Sequence, residues 1–131
     1  MPAYRLMLAL SCALLSACAQ KPSTVTLTQS QQSKCPLNLY VGQQFNLTLP
    51  SNPTTGFRWK LIDPAASVLQ PLGPEVYTNP EDSGLVGSAG LSTWRFRVAN
   101  EGKAELKLVY SQPWEPNVAP AQSFTCRLSA R

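Results

Sequence analysis

The chain has 131 residues, with 11 Lys and Arg against seven Asp and Glu, and it has no histidine. This length suits one domain, and the scattered basic residues lack the dense stripe typical of nucleic-acid binding. The absence of histidine excludes Ser–His and Cys–His nucleophile pairs and the usual zinc sites. The adjacent carboxylates Glu81 and Asp82 would diverge in an extended chain, so they are poor candidates for an acid–base pair. We therefore expect no enzymatic activity, no metal or other cofactor, and no nucleic-acid partner.

The N-terminal residues have the pattern of a bacterial export signal. Arg5 supplies a positive charge before an apolar run at 6–17. The run is too short for an ordinary membrane-spanning helix but has the length of a signal-peptide core. It leads into Leu-Ser-Ala-Cys at 15–18, which resembles the lipobox of bacterial lipoproteins, where the cysteine is lipidated and becomes the new N-terminus. We predict a signal peptide over 1–17 and a lipidated Cys18; an ordinary signal peptide cleaved nearby and an uncleaved anchor remain alternatives.

The predicted mature protein begins with a short tether and continues as one domain. Residues 18–23 are the lipidated tether, and residues 24–131 are the folded domain. Ala19, not Asp, follows the cysteine, and resemblance to such lipoproteins then favours the outer membrane over retention at the inner membrane. An acyl anchor holds a domain to a membrane without spanning it. We expect an exported monomer, anchored in the envelope and facing the periplasm or the cell surface.

From residue 24 onward the sequence indicates short β-strands throughout. Apolar and polar residues alternate with the period of two that a half-buried strand requires, and Pro, Gly and Asn turns separate the segments. The predicted strands are 24–28, 37–41, 44–49, 57–61, 93–98, 104–110 and 123–128. Their outer faces include the basic residues Arg58, Lys60, Arg95 and Arg97. This succession predicts an all-β sandwich of two sheets with about seven to eight strands.

Two cysteines of the predicted domain lie in phase with apolar neighbours. Cys35 alternates with leucines and with Val41, and Cys126 lies between Phe124 and Leu128. Each thiol is therefore predicted to face inward, and the exported compartment is oxidising. We predict a Cys35–Cys126 disulfide, with two buried free thiols as the alternative.

Three connections between the predicted strands are longer than a tight turn. They span 50–56, 71–93 and 111–123. Long loops on a small sandwich often carry function. We therefore expect the functional residues to lie in these three segments.

The first connection contains Asn-Pro-Thr-Thr-Gly at 52–56. Pro53 restricts its own backbone and that of the preceding residue, and Gly56 can adopt a positive φ at little cost. Phe57 and Trp59 fall on one side of the following strand, where they can anchor it in the core. The pattern predicts a stiff tip with exposed threonine hydroxyls, although such a motif is also a common way to turn a corner.

The second and third connections carry small residues and an aromatic residue, respectively. Gly-Ser-Ala-Gly at 87–90 has no side chain that would obstruct the approach of another backbone. Gln-Pro-Trp at 112–114 puts a large indole in a predicted exposed loop. Trp114 either packs back on the sandwich or anchors an interface, and the sequence leaves both possibilities open.

In their order and spacing, these motifs resemble the chagasin-like inhibitors of papain-type cysteine peptidases. NPTTGFRW at 52–59 matches the most diagnostic segment of that family. GSAG at 87–90 stands where the family has a glycine-rich loop, and YSQPW at 110–114 stands where it has an aromatic residue and then Arg-Pro-Trp. The resemblance implies an immunoglobulin-like sandwich that inhibits the peptidase reversibly and non-covalently with three adjacent loops. The implied peptidase-binding residues are Asn52, Pro53, Thr54, Thr55, Gly56, Phe57, Gly87, Ser88, Ala89, Gly90, Gln112, Pro113 and Trp114.

The resemblance also implies a role for each loop. The tip at 52–56 would lie over the catalytic Cys–His pair of the peptidase, with Thr54 at the closest approach. The loop at 87–90 would lie along the non-primed side of the substrate cleft, and the loop at 110–114 would cover the primed side. Phe57, together with Trp59, would support the tip from beneath.

The sequence departs from the family pattern at two positions. Gln112 replaces the usual arginine, so a charged contact with the peptidase would be lost, and Ala89 stands where glycine is common. The predicted Cys35–Cys126 bridge is not a feature that the resemblance implies. An immunoglobulin-like envelope adhesion or protein-interaction module without inhibitory activity is the alternative function.

Overall fold

A computed structural model describes residues 20–79 and 90–131. The described residues form β1 (Thr24–Thr28), β2 (Leu37–Leu39), β3 (Gln44–Ser51), β4 (Arg58–Pro64), β5 (Leu69–Pro71), β6 (Val76–Thr78), β7 (Gly90–Val98), β8 (Gly102–Ser111) and β9 (Gln122–Ala130). Short 3₁₀ helices span Gln29–Lys34 and Pro53–Thr55. Within the described ranges, no helix has the length and apolar character needed to cross a membrane. The predicted signal peptide at 1–17 and the predicted lipidation site Cys18 lie outside the described residues.

The strands form the two facing sheets of an immunoglobulin-like β-sandwich, which confirms the predicted fold class. The first sheet has the order β1–β3–β7–β5, and β6 also pairs with β7. The second sheet has the order β2–β9–β8–β4. β1 is parallel to β3 and β2 is parallel to β9, whereas the other neighbours are antiparallel. Because β1 and β2 belong to different sheets, the chain crosses between the sheets through residues 29–36.

Alternation along the strands builds the core between the sheets. The largest fully buried side chains are Leu27, Leu39, Phe45, Leu47, Leu49, Val68, Phe96, Val98, Leu106, Leu108, Phe124 and Leu128. Phe45 of β3 and Phe96 of β7 stack with their ring centroids 6.2 Å apart. The four basic residues predicted on the outer faces, Arg58, Lys60, Arg95 and Arg97, are all exposed.

The predicted disulfide is present and ties the sheet-crossing segment to β9. Cys35 and Cys126 are bonded with their Cα atoms 5.4 Å apart, within the ordinary range for such a bridge. Cys126 is buried in β9, and Cys35 lies just before β2 and packs against the core. The bridge joins residues 91 positions apart, and in the chain-entropy description a loop of this length stabilises the fold by about 4.6 kcal/mol.

The segment predicted as one long connection over 71–93 contains strand structure. β5 ends within it, β6 occupies residues 76–78, and β7 begins at residue 90 instead of 93. β5 and β6 are three residues each and mostly exposed, so neither has an alternating pattern that the sequence could reveal. Both are held by backbone pairing to the long strand β7.

Val41 does not face inward as predicted. β2 ends at Leu39, and Val41 lies in the turn that follows, where it is 47% exposed. Its N–H donates to the carbonyl of Arg131 at 2.9 Å, and the N–H of Gly42 donates to the carbonyl of Val98 at 2.8 Å. These bonds to both sheets hold the turn outside the core, and the period-two pattern therefore stops two residues earlier than the sequence predicts.

Candidate functional site

Strand register brings the first and second connections to the same end of the sandwich. At the end of β3, Ser51 pairs with Gly90, the first residue of β7. β6 pairs with β7 so that Thr78 lies opposite Leu91. The residues that leave β3 and the residues that enter β7 are therefore neighbours in the first sheet.

Register in the second sheet brings the third connection to this end as well. Arg58, the first residue of β4, pairs with Ser111, the last residue of β8. The first connection thus lies between the other two. Pairing in the first sheet places it beside the second connection, and pairing in the second sheet places it beside the third. We call residues 52–57 the first loop, 79–89 the second loop and 112–121 the third loop. We call the end of the sandwich where these loops begin and end the loop pole.

The first loop is fixed by hydrogen bonds within itself. The Asn52 Oδ1 atom accepts from the Thr54 backbone N–H at 3.3 Å and from the Thr54 hydroxyl at 2.6 Å. The Thr55 hydroxyl donates to the Asn52 carbonyl at 2.7 Å. The N–H of Gly56 donates to the Pro53 carbonyl at 3.1 Å, and Gly56 has a φ of +81°, in the left-handed region that favours glycine. The loop is therefore a closed 3₁₀ turn with its threonines exposed.

Three aromatic rings support the first loop from the core side. The N–H of Asn52 donates to the Tyr110 hydroxyl at 3.0 Å. The Tyr110 ring contacts Phe57 and Trp59, with centroid distances of 5.2 and 4.9 Å. Trp59 is only 5% exposed, and its indole N–H donates to the Pro50 carbonyl at 2.9 Å. The predicted anchoring by Phe57 and Trp59 is thus completed by a tyrosine from the neighbouring strand.

Tyr110 and Arg58 are two supports whose roles the sequence analysis missed. Tyr110 continues the inward alternation of Leu106 and Leu108 on β8, so its inward direction could have been read from the sequence. Arg58 Nη1 donates to the carbonyls of Pro53 and Phe57, both at 2.9 Å. Because an exposed arginine on a strand has the same pattern whether or not it meets a loop, no sequence signal could have found this second role.

The third loop rests on the first loop. The indole of Trp114 is 62% exposed, yet its six-membered ring lies over Gly56, where an added Cβ would overlap Cη2 and lie 2.9 Å from Cζ3. Gln112 Nε2 donates to the carbonyl of Thr55 at 3.4 Å. Trp114 therefore packs on its neighbouring loop, and most of its surface stays accessible. Pro113, between the two contacting residues, is exposed.

Of the second loop, the structure describes Asn79. The predicted site residues Gly87, Ser88 and Ala89 lie outside the described residues. Gly90 was predicted as a loop residue, but it is the buried first residue of β7. A Cβ at this position would overlap the Tyr77 side chain of β6. Gly90 is thus a strand residue required by the close approach of β6.

In its described residues the loop pole offers a surface for binding another molecule. Within residues 20–79 and 90–131, no group of three His, Cys, Asp or Glu side chains converges as metal ligands would. The chain has no histidine to activate a nucleophile. The exposed groups of the described loops include the hydroxyls of Thr54 and Thr55, the Trp114 indole, the Glu115 carboxylate and the Val118 side chain. Such a rigid surface with an aromatic side chain can bind another protein.

Comparisons with known proteins agree with these features. A family model described as chagasin family peptidase inhibitor I42 matches residues 38–128. Chagasin from Trypanosoma cruzi is 30% identical to this chain over 99 residues, covering 72% of this chain and 87% of chagasin.

Two solved structures show the same fold. The cysteine protease inhibitor EhICP2 from Entamoeba histolytica has a TM-score of 0.68 and 23% sequence identity, over 82% of this chain and 96% of that protein. PbICP-C, solved in complex with falcipain-2, has a TM-score of 0.52 and 16% identity, over 82% of this chain and 89% of that protein. At these identities the likeness concerns the fold.

Proposed function

This chain belongs to the chagasin family of peptidase inhibitors, and from that premise we propose that it inhibits papain-type cysteine peptidases reversibly by filling the active-site cleft with the loop pole. The chain is accordingly an inhibitor and not an enzyme. The partner class is supported by EhICP2, which is described as a cysteine protease inhibitor, and by PbICP-C, which was solved with falcipain-2. The alternative of an adhesion module without inhibitory activity has no comparable support.

The observation that carries the proposal is the closed conformation of the first loop, which internal hydrogen bonds and the aromatic rings beneath it stabilise. A cysteine peptidase cleaves only when a scissile carbonyl is aligned at about 3–3.5 Å from its thiolate. In the first loop, the Asn52 and Pro53 carbonyls accept hydrogen bonds from Thr55 and Gly56 within a 3₁₀ turn. A backbone folded in this way fills a cleft without offering an extended peptide for attack. The inhibitor is then bound without being consumed.

The order of the first loop also favours binding, because the loop has little conformational entropy left to lose when it binds. The first loop is held by its internal hydrogen bonds and by Tyr110, Trp59 and Arg58. A loop that is ordered before binding loses fewer rotamer and backbone states on association. We assign the closest approach to the peptidase thiolate to the exposed Thr54.

The flanking loops extend the contact along the cleft. In this proposal the second loop, with Gly87, Ser88 and Ala89, follows the non-primed side, and Pro113 and Trp114 of the third loop cover the primed side. The accessible indole of Trp114 suits such a role because large aromatic side chains dominate the energetics of protein interfaces. Gln112 contributes indirectly, through its hydrogen bond to the first loop.

The proposal includes the cellular location. We propose that the protein is exported as a monomer, that residues 1–17 are removed as a signal peptide, and that Cys18 carries the lipid that anchors it at the outer membrane. Labelling the producing cell with a fatty-acid analogue should mark the wild-type protein and leave Cys18→Ser unmarked. An unlabelled wild-type protein would contradict the anchor without affecting the inhibitory proposal.

The inhibitory proposal is tested by titrating papain with the soluble protein from Lys21 onward. We expect stoichiometric inhibition, with the inhibitor recovered intact. Thr54→Trp should abolish tight inhibition because it adds a bulky group at the point of closest approach. Ser67→Trp, an equally large substitution in an exposed turn far from the loop pole, is the matched control and should inhibit like the wild type. A folded protein that leaves papain and cathepsin-L-like enzymes active would overturn the proposal.

A further inference from the structure

The N-terminal segment joins the sandwich at the end opposite the loop pole. β1 is parallel to β3, and Thr24 pairs with Gln44, the first residue of β3. The N–H of Gln44 donates to the carbonyl of Ser23 at 2.9 Å, and Gln43 Nε2 donates to the carbonyl of Pro22 at 2.8 Å. Because β3 starts here and ends at the loop pole, the full length of the strand separates the two ends. We call this opposite end, formed by residues 21–23 and the turns at 40–43 and 99–102, the tether pole.

The docked segment leaves a very short free connection to Cys18. Lys21 Nζ lies 3.5 Å from the centre of the Tyr40 ring, so the chain is held against the sandwich from residue 21 onward. Two residues lie between Cys18 and Lys21, and the three steps along the chain from one to the other reach at most ~11 Å. β8 runs the length of the sandwich over ten residues, which corresponds to about 30 Å. An anchor on Cys18 therefore keeps the tether pole close to the bilayer and lets the loop pole lie as far as the length of the sandwich from it.

The tether pole has the charge that an anionic surface attracts. Lys21, Arg97 and Lys103 are exposed there, at or next to the ends of their elements. Arg131 is exposed beside the turn at 40–43, to which its backbone N–H and carbonyl are hydrogen-bonded through Leu39 and Val41. Glu101 lies at the same end, and Glu105, two residues along β8 from Lys103, forms an ion pair with Arg127. Val41, 47% exposed at the tip of its turn, adds an apolar group at the same end. Basic residues beside a membrane anchor are attracted to anionic headgroups, each strengthening binding about fivefold.

We infer that the tether pole is a membrane-facing surface whose partner is the anionic headgroup layer of a bilayer, and that the loop pole points away from the membrane. This inference rests on the proposed inhibitory role of the loops and on the proposed anchor at Cys18. It assigns the two ends of one small sandwich to different partners, a lipid surface and a peptidase. The inhibitor then acts on peptidases that approach from the aqueous side. Its loop pole meets them at a distance from the bilayer of about the length of the sandwich.

The charged surface is tested with vesicles of phosphatidylglycerol and phosphatidylcholine in equal parts, against vesicles of phosphatidylcholine alone. The protein starting at Gln20 contains all residues of the hydrophobic core, which extends from Leu27 to Ala130. Replacing Lys21, Arg97 and Lys103 together by Gln should weaken binding to the anionic vesicles about 100-fold at low salt. The matched control replaces Lys34, Arg95 and Lys107, which lie between the two poles, and should retain most of the binding. Equal losses in the two triple variants would overturn the inference, because net charge alone would then explain the binding.

The orientation is tested by coupling the domain to a maleimide lipid at either pole. In the protein starting at Gln20, Cys35 and Cys126 form the disulfide, so an added N-terminal cysteine is the single reactive thiol. We expect the N-terminally coupled protein on vesicles to inhibit papain as strongly as the uncoupled protein. The matched form carries Ala121→Cys, at a third-loop residue whose N–H donates to the Tyr110 carbonyl, and should lose inhibition when coupled.

The outcomes separate this inference from the proposals on which it rests. If the uncoupled protein inhibits papain but the N-terminally coupled form does not, the orientation is wrong and the inhibitory function stands. Inhibition by both coupled forms would also overturn the orientation. If the uncoupled protein does not inhibit, the proposed function fails, and the vesicle comparison still decides whether the tether pole binds lipid.

Discussion

The first and third loops lie side by side at the loop pole but are held in different ways. The first loop closes on itself through side-chain and backbone hydrogen bonds and stands on Tyr110 and Trp59. The third loop has backbone turns, with N–H groups of Glu115 and Val118 donating to carbonyls three residues earlier. Its side chains from Pro113 onward are exposed. Its described contacts with the first loop come from Gln112 and Trp114.

This difference separates two kinds of contribution to one binding surface. Residues under the first loop are part of the core, so changing them alters the stability of the fold together with the shape of the tip. Residues of the third loop contribute accessible area, so changing them alters the interface and leaves the sandwich intact. The contact of Trp114 with Gly56 joins the two loops into one surface. Substitutions of residues under the first loop should therefore lower both stability and inhibition. Substitutions in the third loop should weaken inhibition with little effect on stability.

Removing the indole beneath the first loop should have the largest effect. Trp59→Ala deletes a 5% exposed side chain and its hydrogen bond to the Pro50 carbonyl, and truncation of a buried tryptophan costs about 3–5 kcal/mol. We expect this loss in the free energy of unfolding, measured by urea denaturation, together with weaker inhibition of papain. Trp59→Phe, which keeps most of the buried ring surface, should lose less. An unfolding free energy equal to that of wild type in Trp59→Ala would mean that the ring does not support the loop.

The exposed indole of the third loop should show the opposite behaviour. Trp114→Ala removes a side chain that is 62% exposed, so we expect the free energy of unfolding to change by less than about 0.5 kcal/mol. Loss of an interface anchor weakens binding by about 2–4 kcal/mol, which should appear in the inhibition constant. Val118→Ala is the matched control, because Val118 is also an exposed apolar residue of the third loop, at 58%. Unchanged inhibition by Trp114→Ala would remove the third loop from the proposed interface.

Much of the fold could be predicted because alternation is strong where strands are long and half-buried. β3 alternates without interruption through Phe45, Leu47 and Leu49, each completely buried. β6 has three exposed residues, and its position depends on pairing with β7, which the sequence does not encode locally. For the same reason Gly90 was predicted as a loop residue, although it belongs to a strand that packs closely against Tyr77.

The location of the candidate site could be predicted from the sequence. The contacts that hold its loops in place could not. The motif at 52–56 carries its own turn chemistry, so a stiff first loop followed from Pro53 and Gly56 alone. The position of Trp114 over Gly56 depends on the register of β4 against β8, which is a property of the folded sheet. The sequence therefore left two orientations open for this indole.

Removing the Tyr110 hydroxyl tests whether the first loop needs its hydrogen bond to the core. Tyr110→Phe keeps the ring contacts with Phe57 and Trp59 but removes the acceptor of the Asn52 N–H. The net loss of one such hydrogen bond is about 1 kcal/mol, and we expect this decrease in urea denaturation together with a smaller loss of inhibition. Tyr40→Phe at the tether pole, where the ring itself contacts Lys21, is the matched control and should leave both properties unchanged. A larger effect of Tyr40→Phe would contradict the assigned support.

The smallest effect is expected from the hydrogen bond that joins the two loops. Gln112 Nε2 donates to the Thr55 carbonyl at 3.4 Å in an exposed setting, where water can replace the donor, so Gln112→Ala should change the free energy of unfolding by less than about 0.5 kcal/mol. Its effect should appear instead in the dissociation rate of the peptidase complex, because a third loop without this bond must be ordered on binding. Gln70→Ala, which truncates an exposed glutamine of β5 away from the loop pole, controls for the loss of a surface side chain. If the complexes of Gln112→Ala and Gln70→Ala dissociate at the same rate, the Trp114–Gly56 contact is what joins the third loop to the first, and Gly56→Ala should then disturb both loops at once.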